Sequence, residues 1–313
     1  MSTKTLEKKS AKELDPRKLA ARKKAYRKAE PYIWIAPSII LMAIFILVPI
    51  IFVFRMAFSD VSKTGKIRGF NGIQNFIDVT NNPEFARVLI NTLVWTVVVV
   101  VLSTVLGFIL ALILNNKFRG RKIARAIVVF PWATTLVIQA SVWSFIINKD
   151  YGALNTLLKT LGIIQTNINW TPTPEAFFAW EMACGIFVTI PFVCFTALSG
   201  LQSIDSSYYE AAIVDGANYW QKLFNITIPL VKPSLTVATV LNIIYVFNSF
   251  PIVWTITKGD PANRTDTLVT YLYKLAFYNG KQGEAAAVSV IGFLILLVCA
   301  SVYMVSTLKK GDE

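Results

Sequence analysis

What most constrains this chain is a set of six uncharged stretches, at residues 32–54, 88–116, 126–148, 182–204, 233–257 and 285–308. Each is long enough for a helix rising about 1.5 Å per residue to cross the roughly 30 Å of hydrocarbon in a bilayer. With no water at that depth, backbone polar groups must be satisfied inside each segment, so every stretch is expected to be helical. Composition agrees: 55 % of the 313 residues are hydrophobic and 16 % charged, too little charge for a soluble domain and too much apolar content for a disordered one. The expected class is an all-α membrane protein with six transmembrane helices.

An even number of crossings puts both termini on one side, and charge then selects the side. Of 31 Lys and Arg, placing the termini in the cytosol leaves 20 inside and 11 outside, with 9 acids on each face. That is the positive-inside bias. The connection between the second and third spans anchors it, being short and carrying Lys117, Arg119, Arg121, Lys122 and Arg125 without an acid. The basic N-terminal tail, with Arg17, Lys18, Arg22, Lys23, Lys24, Arg27 and Lys28, reads as a retained cytosolic segment, because 32–54 is too long for a signal peptide and lacks a small-residue cleavage site. It serves as a topology signal, and a second use, resting on anionic lipid, is open to it. The net charge of +13 is thus a matter of topology and calls for no nucleic acid.

Catalytic chemistry finds little support. The chain has no His, which removes His-based zinc sites and hydrolytic triads, and Cys184, Cys194 and Cys299 form no CxxC pair. No GxxxxGK[ST] phosphate loop occurs, so a nucleotide, if one is used, is hydrolysed elsewhere. No metal or cofactor is expected in the chain itself, and an intramembrane enzyme would need acids or nucleophile and base pairs that the six stretches do not offer.

One cytosolic connection is different in kind. Residues 205–229 are long, nearly neutral and aromatic-rich. Ser207 followed by Glu210 has capping-box spacing, Gly216 stands where a left-handed C-cap would end a short helix, and Asn218 with Gln221 repeats the start signal. A helix, a turn and a second short helix towards Ile226 are predicted. Small Ala211, Ala212 and Ala217 allow close approach, whereas Tyr209, Tyr219, Trp220 and Phe224 are bulky. Two placements are open for these rings: against another protein, or against the chain's own helix ends and the headgroup layer.

Glu210-Ala211-Ala212, Gly216, Ile226 and Ile228-Pro229 resemble the EAA loop of permease subunits of bacterial ABC importers, with Ile228 where that family usually has Leu. The resemblance implies a type I ABC importer permease fold in which this loop is the coupling helix that docks on an ATPase subunit. The residues it assigns to coupling are Tyr209, Glu210, Ala211, Ala212, Asp215, Gly216, Ala217 and Phe224. It also implies a division into a tail (1–31), a first span (32–58), a five-helix core (88–308) and a short cytosolic tail (309–313). The implied partners are a second permease in a heterodimer, two ATP-binding cassette subunits that use ATP and Mg, and an extracytoplasmic sugar-binding protein.

Further motifs narrow the resemblance to carbohydrate permeases, most like the first permease of a maltose-type pair. They are Phe70-Asn-Gly-Ile-Gln-Asn-Phe76, Phe130-Pro131-Trp132, Tyr151-Gly152-Ala-Leu-Asn155, Phe247-Asn-Ser-Phe250 and Thr265-Asp-Thr-Leu268. By that likeness the substrate-binding candidates are Thr189, Phe192, Asn242, Tyr245 and Ser249. Physical reading agrees in kind: neutral amides and hydroxyls beside rings suit uncharged, hydroxyl-rich solutes, and no charged residue lies deep in any predicted span. The spacing of Asn242, Tyr245 and Ser249 places them on one helix face. Each of these polar residues has a competing use in bonding helix to helix, and Pro131, Pro191 and Pro251 are expected to kink their spans, as pivots or as static packing features. A glycerol phosphate ester or another polyol is the alternative cargo, and a receptor or assembly protein the alternative class.

Overall fold

The computed structural model describes residues 30–32 and 34–309. The basic cluster of the N-terminal tail and the last four residues lie outside them. The chain divides into two units, Met1–Val53 and Phe54–Glu313. The first unit contributes most of α1, Trp34–Ala57. Its π turn at Ala43–Leu47 precedes Pro49, whose missing N–H leaves the ladder open at that level.

Within the second unit, α1 ends in a small antiparallel hairpin, β1 (Ser59–Val61) with β2 (Ile67–Phe70), in register Ser59 to Phe70 and bulged between Asp60 and Val61. These two strands depart from the all-helical expectation. Asn75, on α2 (Gln74–Asn81), fastens the end of α1 by donating to the carbonyls of Ala57 and Ser59, both at 2.9 Å. The Ala57 carbonyl is an orphan acceptor of the helix terminus and that of Ser59 belongs to β1, so one buried amide ties the helix end to the hairpin.

The core is built on α3 (Pro83–Asn115) and α7 (Pro174–Gln202), which pack along most of their length. At their crossing a Cβ on Gly107 would lie 2.9 Å from Val193, so only glycine lets the backbones come this close. In lipid, where no hydrophobic force draws helices together, such close packing is what holds them. Trp95 adds a tether by donating its indole N–H to the Val246 carbonyl at 2.9 Å.

The third predicted span, 126–148, is not one helix. It is α4 (Arg121–Val129) with a 3-10 turn at Phe130–Ala133, then α5 (Leu136–Ile146), and the two halves are bent by 98°. Pro131 initiates the break, and the amide of Gln139 donates to the freed Pro131 carbonyl at 2.6 Å. After α6 (Ala153–Thr160), α7 continues unbroken through Pro191. α8 (Ser206–Val214) follows, then α9 (Tyr219–Lys222), a π turn at Leu223–Thr227, α10 (Ile228–Phe247) and α11 (Pro251–Ile256). Pro251 therefore starts a new helix after a break. α12 (Leu268–Tyr273) and α13 (Gln282–Lys309) complete the fold. Among the described residues, five helices are long and apolar enough to cross a membrane, or six if the bent pair is taken as one span.

Candidate functional site

The connection between α7 and α10 is helix, turn and helix, as its sequence predicts, but two details differ. The cap of α8 is Asp205 and not Ser207: the Asp205 carboxylate accepts from the Ser207 N–H at 2.9 Å. Hydrogen bonds from Ser207 hold that carboxyl below its ordinary range. Gly216 ends α8 with φ +77, its N–H bonding to Ile213 O at 3.1 Å and that of Ala217 to Ala212 O at 2.8 Å. This pair of bonds is a Schellman motif. The second helix does start with the Asn218 and Gln221 capping box, but it does not stop near Ile226. Nothing breaks it there, and the π turn delivers it to Pro229 in the first turn of α10, where a missing N–H is harmless.

The aromatic residues divide into one that packs on the chain itself and three that stay exposed. Tyr209 turns inward, its hydroxyl 3.1 Å from that of Thr227, at a cleft also lined by Leu112, Asn115 and Asn116. Tyr219, Trp220 and Phe224 stay about 60 % exposed, with Trp220 stacked on Phe224 at 6.1 Å. Ile213 and Val214, which sequence reading passed over, are exposed beside them, while Ala212 is buried and Glu210, Ala211, Asp215 and Gly216 face outward. Ala217 is half-buried. The signal for Ile213 and Val214 was two adjacent apolar residues in the last turn of a short helix. The root of the loop is tied inward. With the Gln202 amide oxygen facing them, Arg125 and Arg121 donate to it at 2.9 and 3.2 Å, and Arg121 Nε donates to Leu114 O at 2.6 Å. Gln202, three residues before the Asp205 cap, thereby joins the end of α7 to α4, and Arg121 joins α4 to the end of α3.

The mid-span candidates do not converge on one face. Thr189 is buried and bonds back to Gly185 O at 2.8 Å. Asn242 is buried against α3, donating to Ser103 Oγ at 2.8 Å, and its own oxygen has no partner among the described residues. Tyr245 is half-exposed. Ser249 is buried beyond the end of α10, which stops at Phe247, so the helical spacing assumed for it does not extend that far. Phe192 is half-buried with its ring 6.1 Å from Trp132, at the bend between α4 and α5.

Residues 103–308 match the family model of the binding-protein-dependent transport system inner membrane component. The chain belongs to that family. It is 47 % identical over 274 residues to a probable ABC transporter permease protein of Brucella suis, covering 88 % of this chain and 95 % of that one. It is 35 % identical over 283 residues to the trehalose/maltose transport system permease protein MalF of Thermococcus litoralis, covering 89 % and 94 %. A chain in the crystal structure of a bacterial ABC transporter involved in the import of the acidic polysaccharide alginate superposes with TM-score 0.80 at 23 % identity, over 91 % of this chain and 98 % of that one. The last likeness is one of fold.

The permease also has a polar centre that hydropathy hid. Glu181, read as abutting the fourth span, lies inside α7, which begins at Pro174; it is fully buried and accepts from the Thr257 hydroxyl at 2.6 Å. Thr257 in turn lies 2.9 Å from the Thr265 hydroxyl. Next to it, buried Asp266 pairs with Lys274 at 2.8 Å, and Lys274 also donates to Asn263 Oδ1 at 2.6 Å. Burial of Asp266 outweighs the attraction of Lys274 and raises its carboxyl above the usual range. Asn91 on α3 donates to the carbonyls of Arg264 and Asp266, at 2.8 and 3.0 Å, so the loop after α11 is fixed to the core.

Proposed function

We propose that this permease forms half of the translocation path of an ABC importer for a sugar or oligosaccharide, and that the exposed knob of Ile213, Val214, Tyr219, Trp220 and Phe224 receives an ATPase subunit. The observation that carries the reading is the contrast between how the knob is held and what it shows. Its helices are fixed by Asp205, the Schellman turn and the capping box, yet among the described residues its apolar side chains have little cover. A rigid apolar anchor with a polar rim is what a partner's pocket needs, since such anchors dominate binding energy.

The remaining parts follow from the same reading. The partners are a second permease, two ATP-binding cassette subunits that consume ATP with Mg, and an extracytoplasmic binding protein that delivers the cargo. The charge bias places both termini and the knob in the cytosol. Closure of the ATPases pushes on α8, and Gln202 passes that displacement to α3 and α4, favouring one orientation of the cavity over the other. A sugar cargo is supported by the MalF relative and by the diacetylchitobiose uptake system permease protein DasB of Streptomyces coelicolor, 27 % identical over 288 residues. Phe192 and Tyr245 supply accessible rings near mid-span, suited to the apolar faces of a pyranose.

The experiment is co-purification in mild detergent followed by reconstitution. An ATPase subunit should accompany the wild-type chain and be lost from the Trp220→Asp, Phe224→Asp variant, and a saccharide presented with its binding protein should stimulate ATP hydrolysis. An ATPase that stays bound to the variant, or a complex that no saccharide stimulates, would overturn the corresponding half of the proposal.

A further inference from the structure

The structure divides the basic connection between α3 and α4 into two sets. Arg121 and Arg125 are half-buried and spent on Gln202 and the Leu114 carbonyl. Lys117, Arg119 and Lys122 are exposed, and none of them forms an ion pair or hydrogen bond among the described residues. Topology alone is served by all five alike; the division shows three charges still without a counter-ion.

What lies beside those three defines the partner. Immediately along α4, Ile123, Ile127 and Phe130 are 67 %, 67 % and 69 % exposed and fall at helical spacings of four and three, so they form one stripe. The stripe extends about 10 Å from Ile123 to Phe130 at the α-helical rise. Charge sits only at the end where the helix leaves the connection, and apolar surface continues from there into the span. A ligand that complements both is anionic at one end and hydrocarbon for the rest.

We infer that Lys117, Arg119 and Lys122, with the Ile123, Ile127 and Phe130 stripe, form a binding site for one anionic phospholipid, its phosphate on the basic edge and an acyl chain along α4. An acidic protein surface would answer the charges but leave the stripe uncovered, and a zwitterionic lipid would answer the stripe but not the net positive charge. Long Lys and Arg stems suit this arrangement, because they lie along the acyl chain while their heads reach the phosphate. The inference rests on the cytosolic placement of this connection proposed above.

The test uses the full chain in nanodiscs of phosphatidylcholine with or without phosphatidylglycerol, read by native mass spectrometry for retained lipid and by thermal unfolding. Each basic residue near an anionic surface contributes about fivefold in affinity, so the triple variant Lys117→Gln, Arg119→Gln, Lys122→Gln should lose phosphatidylglycerol retention by on the order of a hundredfold. The stabilising shift that phosphatidylglycerol gives the wild type should disappear with it. A control that removes as many exposed charges from the opposite connections, Lys149→Gln, Lys159→Gln, Lys258→Gln, should keep both effects. Equal retention in the triple variant and the wild type, or equal loss in the control, would overturn the site. So would a triple variant that keeps its lipid but sheds a protein partner, which would make the edge a protein contact. Nanodiscs expose both leaflets, so retention is independent of orientation; labelling of Arg119→Cys in intact and opened cells reads orientation separately, and a failure there would leave the lipid result standing.

Discussion

The two ends of the bundle are built on opposite principles. At the end that the charge bias assigns to the outside, the loop after α11 is bound into the chain: Thr257 to Glu181 of α7, Asp266 to Lys274, and the carbonyls of Arg264 and Asp266 to Asn91. At the end it assigns to the cytosol, Tyr219, Trp220 and Phe224 are exposed, while Tyr209 turns inward. The outer loop therefore stabilises the chain itself, whereas the exposed rings of the inner elbow contribute little to it. Substitutions should separate these two behaviours.

The largest effect is expected at the outer end. Lys274→Met leaves Asp266 buried without its cation and should cost about 3–5 kcal/mol, seen as a lower unfolding temperature in detergent. Combining it with Asp266→Asn should recover much of the loss. Next comes Gln202→Leu, which removes the acceptor shared by Arg121 and Arg125 at a cost of about 1.5–3 kcal/mol and should lower transport per ATP hydrolysed in the reconstituted importer. Gly216→Val forces a β-branched residue into a left-handed conformation at about 1–2 kcal/mol; circular dichroism should remain near wild type while the transport ratio falls. The smallest change in stability belongs to Trp220→Ala, within about 0.5 kcal/mol, yet ATPase co-purification should weaken sharply. If Trp220→Ala lowered the unfolding temperature as far as Lys274→Met, the contrast between the ends would fail.

How legible this was depended on which physical rule was in control. Span lengths are set by hydrocarbon thickness, so the six stretches were visible in the sequence. Gly216 was equally plain, since few other residues accept its backbone angles. The cap was misplaced because Asp205 and Ser207 both suit the role and spacing alone does not choose between them. The bend at Pro131 was legible, since proline lacks the N–H that a continuing helix needs; its 98° size was not, because it depends on the Thr134 and Gln139 side chains that take the Pro131 carbonyl. Glu181 was put outside its helix because a charge ends an apolar window, while the actual helix continues wherever a partner is found. The mid-span candidates dispersed for a related reason: a spacing argument holds only while the helix lasts, and α10 stops at Phe247.

The π turn at Leu223–Thr227 has a mechanical corollary. Because the helix continues through it from α9 into α10, the elbow and the fifth span form one unbroken run of roughly 40 Å at about 1.5 Å per residue. A tilt of a few degrees at one end of a rod of that length would carry the other by ångströms, a lever arm that no loop interrupts.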